Sequence, residues 1–228
     1  MTKPQRILLS FDVEEFDVPR EHGVDLPMEE QVRISTVGTH ALLDVLKRHG
    51  VRATIFCTAN FALRAPEVLQ RILDEGHELA SHGYYHWTFE PSDLKKSKDA
   101  LEQLSGRAVR GYRQARMMPV PEAEVARAGY CYNSSLHPTF IPGRYMHLTA
   151  PRTYFMREGV MQIPASVTPC SCATPGRKPG TSTRLTTGML NALQKRMNLL
   201  PLSEESMSST PDMTLGWFAM IPIERPLM

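Results

Sequence analysis

The sequence predicts an α/β protein, and three features of its order carry that expectation. Short apolar, β-branched runs alternate with amphipathic stretches at least four times between Gln5 and Ser166, the pattern of a parallel sheet flanked by helices. Glycine or proline punctuates most of the changes. The clusters richest in acids, histidine and arginine fall directly after the apolar runs, where α/β folds gather their ligands.

Taken in order, Arg6-Ile7-Leu8-Leu9-Ser10-Phe11 reads as a buried strand that runs into acids. Val32 to His49 predicts a helix, with Ile34, Val37, Ala41, Leu42, Val45 and Leu46 repeating at threes and fours and Gly50 stopping it. Ala53 to Thr58 is the second strand. Pro66 opens a helix through Val68, Leu69, Ile72 and Leu73, which Gly76 closes. His77 to Ser81 is a short third strand. Ser92 is placed to cap a helix running through Leu94, Leu101 and Leu104 to Gly106. Val109 to Tyr112 is a fourth strand, and Glu122 to Ala128 a further helix.

Beyond about residue 168 the composition breaks. Pro, Ser, Thr and Gly become frequent, Tyr and His vanish, and six of the thirteen methionines appear. Only Thr186 to Leu200 carries a helical pattern, and no strand–helix alternation continues. The expected organisation is a domain over 1–168 and an atypical tail over 169–228, either disordered or translated out of frame.

Composition narrows the function classes. Hydrophobic residues make up 42% and charged residues 22%, ordinary globular usage. The net charge of +2 gives no electrostatic reason to expect nucleic acid or an anionic membrane as partner. The four cysteines lack zinc-finger spacing, and Cys170-Ser171-Cys172 is too short for an easy disulfide. No stretch near Met1 has signal-peptide form and no run approaches membrane-spanning length, so a soluble, cytoplasmic protein is expected.

Two clusters could carry chemistry. In Ser10-Phe11-Asp12-Val13-Glu14-Glu15-Phe16-Asp17, a strand that persists past Phe11 puts Asp12 and Glu14 on one face. One carboxylate could then bind a cation while the other stays free as a general base. Read alone, such a cluster is more often a solvated loop. In Ser81-His82-Gly83-Tyr84-Tyr85-His86, one helical turn would bring the two imidazoles to about 5–6 Å. Two histidines and a carboxylate leave a zinc site with room for water, although His-x-x-x-His by itself is weak evidence. Arg113 follows the next strand and could hold the free carboxylate in its ionised form, or lie on the surface.

Together and in this order, Phe11-Asp12-x-Glu14, Ala53-Thr54-Ile55-Phe56, Gly76-His77-Glu78-Leu79-Ala80-Ser81-His82-x-x-x-His86 and Gly111-Tyr112-Arg113 resemble the polysaccharide deacetylase family, the NodB homology domain, over residues 6 to about 168. The resemblance implies a distorted (β/α) barrel, here incomplete at its C-terminus. It also implies a hydrolase that removes acetyl groups from acetylated sugars or polysaccharides with a divalent metal, often Zn2+. By position, His82 and His86 match metal ligands, Asp12 the catalytic base and Arg113 the residue that orients it. Val13 stands where the usual second aspartate would be. Glu14 then becomes the third ligand, with Glu15 a weaker candidate. Asn133-Ser134-Ser135 and Gln162-Ile163-Pro164 resemble two later segments. The family's last motif supplies a histidine as general acid, but all eight histidines lie between His22 and His147. His137 is the substitute within reach of the pattern. Two other readings stay open: a non-catalytic remnant that binds metal or sugar, and a metal-independent relative acting on a small amide or ureide.

Overall fold

The computed structural model describes residues 6–138, 140–141, 145–147, 149–165 and 219–223. The chain divides into two units, 1–167 with 216–228, and 168–215. The second unit lies outside the described residues, and with it the helix expected at Thr186–Leu200 and the character of the tail there.

The first unit is built on an eight-stranded sheet. Strand β1 (Arg6–Val13) lies beside β2 (Thr54–Cys57), then β3 (Glu78–Ser81), β4 (Gly111–Tyr112), β5 (Tyr132–Asn133) and β9 (Val160–Gln162), all parallel. Strand β8 (Phe155–Arg157) returns antiparallel on β9 at one edge. A separate small ribbon joins β6 (Phe140–Ile141) and β7 (Tyr145–Met146). The helices are α1 (Met28–Arg48), α2 (Ala59–Arg64), α3 (Pro66–Asp74), α4 (Pro91–Ser105) and α5 (Glu122–Arg127). Among the described residues, no helix is long and apolar enough to cross a membrane.

The expected elements are present, with shifted ends. Helix α1 begins at Met28, four residues before Val32, and buries Val32, Leu42, Leu43 and Leu46. Val37 and Val45, read from sequence as part of its inner stripe, are exposed instead. Two stripes overlapped in that sequence, and the packing selects the one spaced 32, 39, 42, 43, 46. Helix α4 is not capped by Ser92. Its N-cap is Glu90, whose backbone N–H donates to Asp93 Oδ2 at 3.0 Å in a capping box, with Pro91 in the first turn. Gly106, at φ 64, ends that helix as expected.

The tail departs from its expected lack of further strands. Strand β10 (Ala219–Ile223) pairs antiparallel with β1, from Arg6 opposite Ile223 to Ser10 opposite Ala219. Pro222 obscured this in the sequence, but proline is tolerated on an edge strand such as this one.

The register of the parallel strands sets where the polar clusters emerge. Val13, Cys57, Ser81, Tyr112, Asn133 and Gln162 form one continuous row across the sheet. The next residues in each strand, Glu14, Thr58, His82, Arg113 and Ser134, therefore stand together at its C-terminal edge. Their amides prolong the ladder, with His82 N–H donating to Cys57 O and Arg113 N–H to Ser81 O, both at 2.9 Å. Beneath them the core is packed with Phe56, Ile55, Phe61, Leu43 and Ile72, all nearly inaccessible.

Candidate active site

Strand β1 does persist past Phe11, so Asp12 and Glu14 share a face. Glu14 Oε2 lies 3.0 Å from His82 Nε2, and Glu14 Oε1 lies 3.3 Å from His86 Nε2. One ligand atom from each of these three side chains falls within 4.8 Å of the others. The convergence of the imidazoles has a different cause from the one anticipated. Residues 82–86 form no helical turn; the chain bends through Gly83 at φ 89. The rings stack with centroids 5.7 Å apart and planes at 22°. Helix α2 fixes the bend, because Ala59 N–H donates to Gly83 O and Asn60 N–H to Tyr84 O, each at 3.0 Å.

Both rings are held from behind. His82 Nδ1 donates to the Arg113 carbonyl at 2.9 Å, and His86 Nδ1 donates to the Asp17 carboxylate at 2.8 Å. With Nδ1 engaged in this way, each ring turns Nε2 toward Glu14, the arrangement that outer partners impose on metal-binding histidines. Glu14 Oε2 is buried, with His82 Nε2 the atom set against it. A carboxylate and two imidazoles this close need a positive charge among them, which a proton on a ring or a metal ion in its place supplies. Two imidazoles and a carboxylate are a donor set that suits zinc and its neighbours, so these residues fit a divalent metal.

The charges fit as well. Burial alone would raise the Glu14 carboxyl, but the charge of His86 with His82 and Arg116 outweighs it and holds the group down at about 2. Burial likewise disfavours the charged form of His86, yet Glu14 and Asp17 prevail and lift it to about 9. Glu15, the weaker ligand candidate, is turned elsewhere. Its carboxylate accepts from Thr58 Oγ1 at 2.8 Å and from Asn60 Nδ2, and burial raises its pKa.

Arg113 is not on the surface. It is fully buried, and its Nη1 donates to Asp12 Oδ1 at 2.6 Å. Its Nη2 donates to Ser10 Oγ at 2.8 Å and Ser134 Oγ at 3.0 Å, and its guanidinium lies 4.0 Å from the Phe56 ring centroid. The second Asp12 oxygen is left 3.9 Å from His82 Nε2, facing the three-residue cluster. Sequence reasoning did not single out Asp17, Ser10 or Ser134 for these contacts. All three sat inside segments marked as informative, but nothing in spacing distinguishes a residue that orients a ligand from its neighbours. His137, the substitute acid, is fully buried and packs against His147 with ring centroids 4.9 Å apart.

The sequence profile of the family described as Polysaccharide deacetylase matches residues 2–117, half of the chain. The chain belongs to the polysaccharide deacetylase family. Among curated family relatives, the Bacillus subtilis peptidoglycan-N-acetylmuramic acid deacetylase PdaA is 33% identical over 67 residues, 29% of this chain and 26% of that protein. A chitooligosaccharide deacetylase from Bradyrhizobium is 42% identical over 48 residues, 21% of this chain and 22% of its own. The matched stretches thus span about a quarter of these polysaccharide deacetylases. A crystal structure from Mycobacterium smegmatis, described as a polysaccharide deacetylase, superposes with a TM-score of 0.60 at 21% identity, covering 84% of this chain and 70% of that one. The fold of this chain is therefore the α/β fold with a parallel sheet seen in its barrel-type neighbours.

Proposed function

We propose that this chain is a metal-dependent hydrolase that removes the acetyl group from an N-acetylated sugar or polysaccharide. The carrying observation is the convergence of the Glu14 carboxylate on His82 Nε2 and His86 Nε2, with one ligand atom of each residue within 4.8 Å of the others. Glu14, His82 and His86 would hold the cation, most simply Zn2+. When bound, the metal supplies Lewis acidity toward the acetyl carbonyl and lowers the pKa of an attacking water. Asp12 takes the proton of that water through Oδ2, the oxygen not engaged by Arg113. Arg113 pairs with Asp12 and fixes it in rotation, and Asp17 fixes the His86 ring. The leaving amine takes its proton from Asp12, which holds one after the first step.

The names of the family relatives support an acetylated-saccharide substrate. The same three-residue convergence argues against a metal-independent reading. The test is metal content per chain, read beside a His82→Ala, His86→Ala variant, followed by acetate release from acetylated sugars. Near-stoichiometric zinc lost in the variant, with acetate release that a chelator abolishes, is the expected result. Metal binding without acetate from any substrate would leave a binding remnant, and unchanged activity in chelator would revive the metal-free alternative.

A further inference from the structure

The first residues of helix α2 are bonded to both segments that carry the cluster. On the side of β1, Thr58 N–H donates to Val13 O at 3.1 Å. Thr58 Oγ1 donates to Glu15 Oε2 at 2.8 Å, and Asn60 Nδ2 donates to Glu15 Oε1. Glu14 is thus gripped through the residue before it and the residue after it. On the histidine side, Ala59 N–H donates to Gly83 O and Asn60 N–H to Tyr84 O, both between His82 and His86. The helix start is itself fixed. Thr58 Oγ1 caps it by accepting from Phe61 N–H at 3.3 Å, and Asn60 Oδ1 accepts from Arg64 Nε at 3.2 Å. Glu15, Thr58, Ala59 and Asn60 are all buried.

We infer that Glu15 is a positioning residue for the metal cluster: its carboxylate, locked to Thr58 and Asn60, sets the reach of Glu14 toward His86. The inference rests on the metal-dependent reading of the site, and it gives the second acid of the Glu14-Glu15 pair a task other than binding the cation. Both Glu15 oxygens are taken by α2. Bonds from a carboxylate are the short, directional kind, and burying one is costly unless such bonds offset it. The cost is met at the one place where it fixes a ligand. Metal–ligand distances are held to about 0.2 Å, so a Glu14 backbone free to shift would lose affinity directly. The ties to Val13, Glu15, Gly83 and Tyr84 all converge on residues 58–60. A displacement of that helix start therefore carries both ligand segments with it, and the 3.3 Å separation of Glu14 Oε1 from His86 Nε2 is preserved. Asn60 matters most, because its backbone holds the histidine segment while its side chain holds Glu15.

The full chain is titrated with zinc in competition with a chromogenic chelator, well below its melting temperature, and the metal-free melting temperature of each variant is recorded beside it. Glu15→Gln keeps both bonds, since its amide oxygen accepts from Asn60 and its amide N–H donates to the Thr58 hydroxyl. Its zinc affinity should stay close to that of the native chain. Glu15→Ala and Asn60→Ala should each weaken zinc about tenfold, the scale on which partners outside the ligand set act. The double alanine variant should be no weaker than the worse single one, because both substitutions break the same lock. If Glu15→Ala does not fold, Asn60→Ala carries the comparison, as alanine is a good helix former in α2. An equal loss in Glu15→Gln and Glu15→Ala marks Glu15 as a ligand and overturns the inference. Lower melting temperatures with unchanged zinc affinity mark plain support of the fold and overturn it too. Acetate release from N-acetylglucosamine oligomers separates the lock from the reading beneath it. The expected zinc pattern with no acetate sinks the deacetylase reading and leaves the lock. Chelator-sensitive acetate release, with zinc affinity indifferent to Glu15 and Asn60, does the reverse. A native chain that binds no zinc overturns both.

Discussion

Arg113 carries more of the site than any other side chain, because it meets Asp12, Ser10 and Ser134 while stacked on Phe56. Removing it strands Asp12, whose side chain is only 2% exposed, as an uncompensated buried charge. Arg113→Ala should therefore lose about 3–5 kcal/mol of stability, measured by urea denaturation. Arg113→Lys should recover part of that and little activity, since one ammonium cannot reproduce the planar fork. His86 gives a pH prediction. Its pKa is raised to about 9 in the metal-free protein, so below that pH a proton must leave before Nε2 can bind metal. Apparent zinc affinity should rise about tenfold per pH unit from pH 6.5 toward 9 and then flatten. Competition titrations against a chromogenic chelator at several pH values would check this. In the absence of metal the sign for stability is opposite: the raised pKa stabilises fully below about 6.5, and that contribution is lost as pH climbs through about 9. Asp12, Glu14, His82, His86 and Arg113 were legible from residue type, strand ends and order. Asp17 and Ser134 were not, because a partner that orients a ligand is defined by a contact rather than by a spacing.

At the scale of elements, the strands were readable because parallel, buried strands are written as apolar runs, and the helices because glycine and proline end them. The failures have local causes. Helix α2 is only six residues, too short to display a period. The bend at Gly83 looked like a helical turn because a four-residue spacing is shared by helices and by tight loops. The short strand β4 tolerates least. A Cβ on Gly111 would overlap the Tyr132 ring on the neighbouring strand β5, while the Tyr132 hydroxyl is tied to Glu78 Oε1 at 3.0 Å. Gly111→Ala should cost about 1–3 kcal/mol, seen as a lower melting temperature. Because Arg113 lies two residues further along the same segment, the substitution should also weaken the Asp12 contact and lower kcat more than zinc affinity.

For the whole molecule, zinc should act as a stabilising ligand of the folded unit alone. At a hundredfold excess over its dissociation constant it contributes about 2.7 kcal/mol, or roughly 5–10 °C in melting temperature for a chain of this size. The His82→Ala, His86→Ala variant should melt at the same temperature with zinc or with chelator; a persistent zinc-dependent shift there would relocate the metal. How the tail joins the fold was the part least visible in sequence. Ala219–Ile223 completes the sheet beside β1, and its methionine and proline give a weak strand signal that only the otherwise open edge of β1 makes meaningful.

The single row from Val13 to Gln162 has one more implication. Separate stretches of sequence are read out against one common ruler, so the site depends on the parity of each strand more than on its composition. Deleting one residue from Glu78–Ala80 would swap inward for outward along β3 and turn His82 from the cluster, however conservative the loss. A residue added to the loop between α4 and β4 would leave the alignment untouched. Evolution or engineering can thus vary the connections freely, while the count within each strand is held to the unit.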